Sequence, residues 1–534
     1  MDNIASWIAE CKQKGAQGNA EAYCDLAEYY LEAEDDKNAE HYFRLSYENG
    51  YREALPGLGA VCLRSDDKKV QTEGFEYVKQ AAEEGNDYSF YMLGLCYMNG
   101  IGTETDTSEG VKAWERAVDL GVVAAMVDLG KYYSETDGEG NLQRAMSLYG
   151  RAENEGSELG AYNLGWVYAN RLNDAENAIR HFKKAAELGA YDAYWDIARI
   201  YYEGEIAEKD LKKALHFFKL GADKGDADSI ASLGIMYYFG QGTDEDRKSG
   251  IECFKKAAAK GSSTAQVNLA KCYLDGEGVR KSAKKAFELY LAAADKENDA
   301  AYNLAIMCME GRGCKKDVNE AVRWYKKSAD GGDTDAMFDL AEIYDTGELV
   351  PKDENLAFKY YKLAADGGDA AAMSNLGLRY VKGQGCVIDY EKALQYLNMA
   401  SERGIGAATL QLGNMYYYGE GVEQDYNCGF ELFEKSVEQG CTGGYNNLGI
   451  AYAEGKSMLP DNAKAAEYFA KGAESGDPQA YYNLGLCYEF GNGVEVDLKK
   501  AARLYKYASE HGIKMAILAI FRCVKQYEAE KNSD

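Results

Sequence analysis

The chain has 534 residues, of which 46% are hydrophobic and only 4 are proline, and it carries a formal net charge of −28. So acidic a balance excludes the basic stripe of a nucleic-acid binder and disfavours an anionic membrane surface. No apolar run approaches the ~18 residues of a bilayer span, so no membrane insertion is expected.

In chain order, residues 1–17 (MDNIASWIAECKQKGAQ) predict a short capping helix with Trp7 and Ile8. No basic region followed by an apolar run occurs there, so no secretory signal is visible and a cytoplasmic location is expected. Charge is uneven. Residues 1–160 hold 31 acids against 14 bases, a net −17, whereas 176–330 are near neutral. Such an acidic third suggests a partner with a basic segment.

From residue 18 to 512 a motif Leu-Gly/Ala-x-x-Tyr recurs about every 36 residues, with Leu26, Leu58, Leu93, Leu129, Leu164, Ile197, Leu233, Leu269, Leu304, Leu340, Leu376, Leu412, Leu448 and Leu484 in its first slot. A period in this range means a solenoid, in which each unit buries its apolar face only against its neighbours. Each unit reads as two helices, A and B. Counting from the motif Leu as zero, a small residue stands at −4 in every unit and Tyr stands at +4 in most. Those positions share one face of helix A. The periodic Tyr residues are read as core.

A Gly-x-Gly turn often follows helix A (Gly240/Gly242, Gly383/Gly385, Gly491/Gly493), but repeats one, two, four and five lack it. An Asp then stands four residues before a small residue of helix B, as Asp210, Asp246, Asp317, Asp353, Asp389, Asp425, Asp461 and Asp497 do. That placement suits an N-cap. A glycine closes nearly every helix B, Lys296 standing in once. After Gly512, residues 513–524 restart a helix A with Ile520 in the Leu slot, and a charged tail, QYEAEKNSD, follows.

Ala480-Tyr481-Tyr482-Asn483-Leu484-Gly485-Leu486-Cys487-Tyr488, followed by Gly491-Asn492-Gly493-Val494 and Asp497, resembles the Sel-1-like repeat (SLR) family, a relative of the tetratricopeptide repeat. The resemblance covers residues 18–512. It implies an all-α, right-handed α-solenoid of about fourteen helix-turn-helix repeats, helix A lining the inner face, with 1–17 and 513–534 as caps. It also implies an adaptor that binds other proteins.

Catalytic and metal motifs are missing from the pattern. The glycine loops lie between helices, with no Gly-Lys-Ser/Thr after them. The four His residues are scattered over helices B, and Cys308 and Cys314 face no second pair. The 13 Cys form no recurring pairs, which favours a reducing compartment. Neither an enzyme nor a cofactor is expected, and the competing readings are a hydrolase with a groove site or a structural subunit of a larger complex.

The candidate binding surface is the polar side of helix A. Position −1 holds Asp128, Asn163, Asp196, Asn268, Asn303, Asp339, Asn375, Asn447 and Asn483, an array of amides and acids able to grip a peptide backbone or to bond neighbouring repeats. Position +2 adds Lys131, Trp166, Arg199 and Lys271 among aliphatics.

Overall fold

The computed structural model describes residues 2–138 and 140–531. Among them are thirty α-helices and no strand. The chain divides into two compact units, Met1–Ala265 and Gln266–Asp534. Within each, helices A and B alternate, and helices that lie wholly inside one unit pack on the next in sequence. Several consecutive helices A also touch one another, whereas no two consecutive helices B pack to a comparable extent. The helix-A side is therefore the crowded side of each unit, and an all-α solenoid is what the chain forms.

Two small-residue positions explain the motif. The −4 residues are buried in all fourteen repeats. The motif Leu is buried in all but one, Leu93 being half-buried. The Gly or Ala at +1 is the seat for a large side chain from helix B of the same repeat, Val78 at Gly59, Leu397 at Gly377 and a ring at the other +1 glycines. A Cβ at Gly165 would lie 2.8 Å from the Phe182 ring, one at Gly413 2.7 Å from Phe433 and one at Gly485 2.6 Å from Tyr505. Phe182, Phe433 and Tyr505 are fully buried. The core of each repeat is thus a large helix-B side chain, usually a ring, pressed onto helix-A backbone, a contact no larger +1 residue allows.

The periodic Tyr at +4 departs from the expected core role. Only some, such as Tyr133, Tyr344, Tyr380 and Tyr452, are buried, while Tyr201, Tyr237, Tyr273 and Tyr488 are half-buried. Their outer faces are covered by cations from the first turn of helix B. Lys213 lies 5.0 Å from the Tyr201 ring, Lys285 5.1 Å from Tyr273, Lys464 5.1 Å from Tyr452 and Lys500 4.1 Å from Tyr488. The physical reason is that +4 lies at the edge of the A–B contact, where a ring is dry on one face only.

The turns are built as expected from caps. Asp210, Asp246, Asp317, Asp353, Asp389, Asp425, Asp461 and Asp497 each accept first-turn N–H groups of helix B. Where the Gly-x-Gly loop is missing in repeats one and five, the turn is shorter, and Glu34 (φ 57°) and Asn173 (φ 52°) take the left-handed backbone just before the capping Asp35 and Asp174. Where the loop is present, its second glycine meets the preceding repeat. A Cβ at Gly242 would stand 2.4 Å from the Leu211 carbonyl oxygen, and one at Gly385 2.0 Å from that of Glu354. These loops are joints between repeats.

The leading helix is Asp2–Ala16, where Trp7 packs edge-on to Tyr29. The C-terminal helix is Met515–Lys531; it runs past Val524 through most of the expected tail, and residues 532–534 lie outside the described residues. It buries Ala516, Ala519 and Cys523, leaving Ile520 half-buried. All thirteen Cys are free thiols.

Candidate interaction surface

Position −1 faces the preceding repeat. The residue at −2 of one repeat bonds the residue at −1 of the next. The Tyr91 hydroxyl donates to Asp128 at 2.8 Å, Tyr162 to Asp196 at 2.8 Å and Tyr302 to Asp339 at 3.1 Å. In the same register the Trp195 indole N–H donates to Ser232 at 3.0 Å, and the Asn483 amide donates to Asn446 at 2.8 Å. One half-buried aromatic hydroxyl or indole thereby meets a polar group of the next unit, satisfying both.

The other −1 residues are placed differently. Asn447 donates to Asn414 of the preceding repeat at 2.6 Å. Asn375 lies by the Tyr361 hydroxyl, whose pKa it pulls down against the rise caused by burial. Asn303 donates to the Asp299 carbonyl of its own helix at 2.7 Å. Asn163 and Asn268 are half-buried.

Burial raises two of the acids. Asp196, 6% exposed, is pushed up to about 6 by burial, against the opposing pull of the Tyr162 hydroxyl and Arg199. Burial likewise raises Asp339, partly offset by the hydroxyls of Tyr302 and Tyr325. A carboxyl under such a load is held by its hydroxyl partner, since an uncompensated buried charge is costly.

The +2 residues stand on the open side. Lys131 is exposed, 3.9 Å from Glu135 one turn on. Trp166 is 40% exposed, with the Arg171 guanidinium 6.0 Å from its ring. Arg199 binds Glu203 at 3.0 Å and lies 5.7 Å from the Trp195 ring. Lys271, in the other unit, is exposed and pairs with Asp299 at 3.5 Å. Between repeats five and six a hollow of about 210 Å³ is lined by Asn170, Asn173, Arg199, Glu203 and Ile206, beside the turn that carries Trp166.

Two features were outside the sequence-based candidates. Position +6 holds the exposed aromatics Phe239, Tyr418 and Phe490 at the ends of their helices A. They become visible once the repeats are aligned by position. On helix B of repeat five, the buried His181 donates from Nδ1 to Glu153 (2.8 Å), accepts at Nε2 from Arg180 (2.9 Å) and stacks on Tyr168 at 5.4 Å. Both ring nitrogens are engaged with charged neighbours, and the ring face is covered. Among the described residues no group of three or more His, Cys, Asp or Glu is arranged to hold a metal ion, and no helix is long and apolar enough to cross a membrane.

Paired helices in a thirty-odd-residue period, seated on +1 glycines and tied at −2/−1, define a helical-repeat protein with a continuous helix-A face in each unit. The chain belongs to the Sel1 repeat family, whose pattern matches fourteen successive segments from 20–51 to 478–513. It is 28% identical over 135 residues to a putative sel1-like repeat-containing protein of Acanthamoeba polyphaga mimivirus, and 30% identical over 117 residues to an F-box protein of Arabidopsis thaliana. These matches take in 25% and 22% of this chain, and only 25% and 32% of those relatives. Among solved structures, a protective antigen of uropathogenic Escherichia coli with an SLR fold superposes with a TM-score of 0.57 at 26% identity, over 85% of this chain and 90% of that one.

Proposed function

We propose that the chain is a protein-interaction scaffold that binds a partner protein or peptide along its helix-A face. The observation that carries this reading is Trp166. It is a large aromatic left 40% exposed on helix A, one turn before Asn170, which lines the 210 Å³ hollow together with Arg199. Trp and Arg are the residues that most often anchor protein interfaces, and a pocket at their side is where an anchor from the partner seats. Lys131 stands at the same position one repeat earlier.

In this reading the residues of the surface divide by role. Lys131, Trp166, Arg199 and Lys271 touch the partner. Asp128, Asp196, Asp339, Asn447 and Asn483, bonded to other side chains of the solenoid, and Asn375, set by the Tyr361 hydroxyl, hold the face in shape, and Asn163, Asn268 and Asn303 lie between the two roles. The net −17 of residues 1–160 steers a partner with a basic segment toward that end, raising its association rate more than its final affinity.

The test is site-specific photo-crosslinking in native lysate, with the full chain carrying the crosslinker at position 166 or, as a control, at the exposed helix-B position 184. The expected result is a discrete adduct from 166 that Arg199→Glu abolishes, and none from 184. Equal labelling from both positions would overturn the helix-A face as the binding surface.

A further inference from the structure

The C-terminal helix presents apolar side chains on the side facing away from its buried residues. Leu518 is 71% exposed, Phe521 69%, Ile517 48% and Val524 44%. Its inner side is clamped. Arg522 makes a two-pronged ion pair with the buried Glu489, one prong at 2.7 Å, and Glu489 also accepts from the Tyr505 hydroxyl at 2.6 Å. Because Arg522 and Ala519 fix the rotation of the helix, the apolar side is held in one orientation.

Phe521 stands at position +1 of this helix, counted from Ile520. That position is Gly or Ala in all fourteen repeats, because a large helix-B side chain, usually a ring, sits on it. A ring already rooted there bars another helix B in the repeat register. An occupant of this face must instead bring side chains that pack around Phe521.

We propose that this face pairs antiparallel with the same helix of a second copy of the chain. Phe521 and Glu528 stand seven residues apart on one helical stripe, and Lys514, in the turn just before Met515, stands seven residues ahead of Phe521 at the head of that stripe. Ile517 and Val524 flank it on one side, Leu518 and Lys525 on the other. Lys514, Lys525 and Glu528 are all exposed. With a twofold axis at Phe521, Lys514 meets Glu528 of the second copy at both ends, Ile517 meets Val524, and Leu518 lies along the Lys525 stem. The two Phe521 rings meet at the centre. A parallel pair would set Lys514 against Lys514 and Glu528 against Glu528, so charge selects the antiparallel arrangement. The contact is isologous and closes on itself as a dimer.

Sedimentation equilibrium of the full chain from about 1 to about 100 µM tests this, a range that brackets a contact of one helix pair. A reversible monomer–dimer equilibrium is expected. Phe521→Glu should raise the dissociation constant at least about tenfold, equivalent to about 1.4 kcal/mol. Lys514→Glu and Glu528→Lys should each weaken the dimer, and the two together should restore it. Unchanged urea midpoints will show that these exposed variants fold. A chain that stays monomeric throughout overturns the second-copy pairing and leaves the face to another protein. A dimer indifferent to Phe521→Glu overturns it equally, and failure of the double reversal to restore association overturns the antiparallel register.

Discussion

The claim that Gly-x-Gly loops are joints between repeats makes a quantitative prediction at Gly385. Its backbone is left-handed (φ 72°), and an added Cβ would lie 2.0 Å from the Glu354 carbonyl oxygen and 2.6 Å from its carbon. Gly332, at the end of a helix B in the same unit, is also left-handed (φ 94°), but its Cβ would meet nothing within 4 Å. Gly332→Ala therefore isolates the conformational cost, about 1 kcal/mol. Gly385→Ala adds to it the displacement of backbone at the first turn of the preceding helix B, an overpacking of about 1–3 kcal/mol. The difference between the two variants measures the joint. Urea unfolding gives the total loss, and amide hydrogen exchange gives its location, since stability in a repeat array is a sum of unit and neighbour contributions. Exchange should accelerate in repeats ten and eleven of the Gly385 variant. If Gly385→Ala were no more destabilising than Gly332→Ala, the close approach would carry no energy and the joint would have to be sought elsewhere.

Other expectations follow from the same contacts. Phe433→Ala removes a fully buried ring and should cost about 3–5 kcal/mol, whereas Tyr237→Ala, at a half-buried +4 position, should cost less than half of that by urea unfolding. Tyr91→Phe deletes the donor to Asp128 and should cost about 1 kcal/mol, with no change in the far-ultraviolet circular dichroism. Asp196 gives a pH signature. Its folded pKa of about 6 lies above the ordinary value, so the folded state binds the extra proton between about pH 4 and 6. Its contribution is therefore present below pH 4 and is lost as pH rises through 6, by roughly 2–3 kcal/mol. The capping acids Asp210, Asp246 and Asp389 are lowered, chiefly by hydrogen bonds from the first turns of their helices, and contribute in the opposite sense, losing stability as pH falls. Asp196→Asn should accordingly melt closer to, or above, wild type at pH 7.5 than at pH 4.5; a variant deficit independent of pH would refute the assignment.

The parts of the fold legible in the sequence were those set within one repeat. The capping Asp, the left-handed glycines and the −4/0 stripe act over a few residues, so their spacing states their role. The Tyr at +4 misled because periodicity reports that a side chain faces its neighbours without reporting how deep it lies. Tyr201 and Tyr488 recur on schedule, yet each is dry on one side only, under Lys213 and Lys500. Position −1 was recognised as a polar array, but its pairing was not, because the donor at −2 belongs to the preceding repeat. Tyr162 and Asp196 are 34 residues apart, and nothing in either local sequence points to the other. Trp166 and Arg199 were found by position alone, whereas the hollow beside them exists only once two repeats are stacked.

The second loop glycine also limits how such a chain can lengthen over evolutionary time. Gly242 touches the start of the preceding helix B, while Gly234 receives Phe254 from its own. Each unit that has the loop thus carries half of two joints, one backward and one internal. A duplication that copies whole units reproduces matched halves wherever its ends fall within the period, so growth by unequal crossing-over needs no repair at the seams. Insertion of a fractional unit would leave a glycine facing the wrong backbone, which is why length in this lineage should change in steps of one repeat.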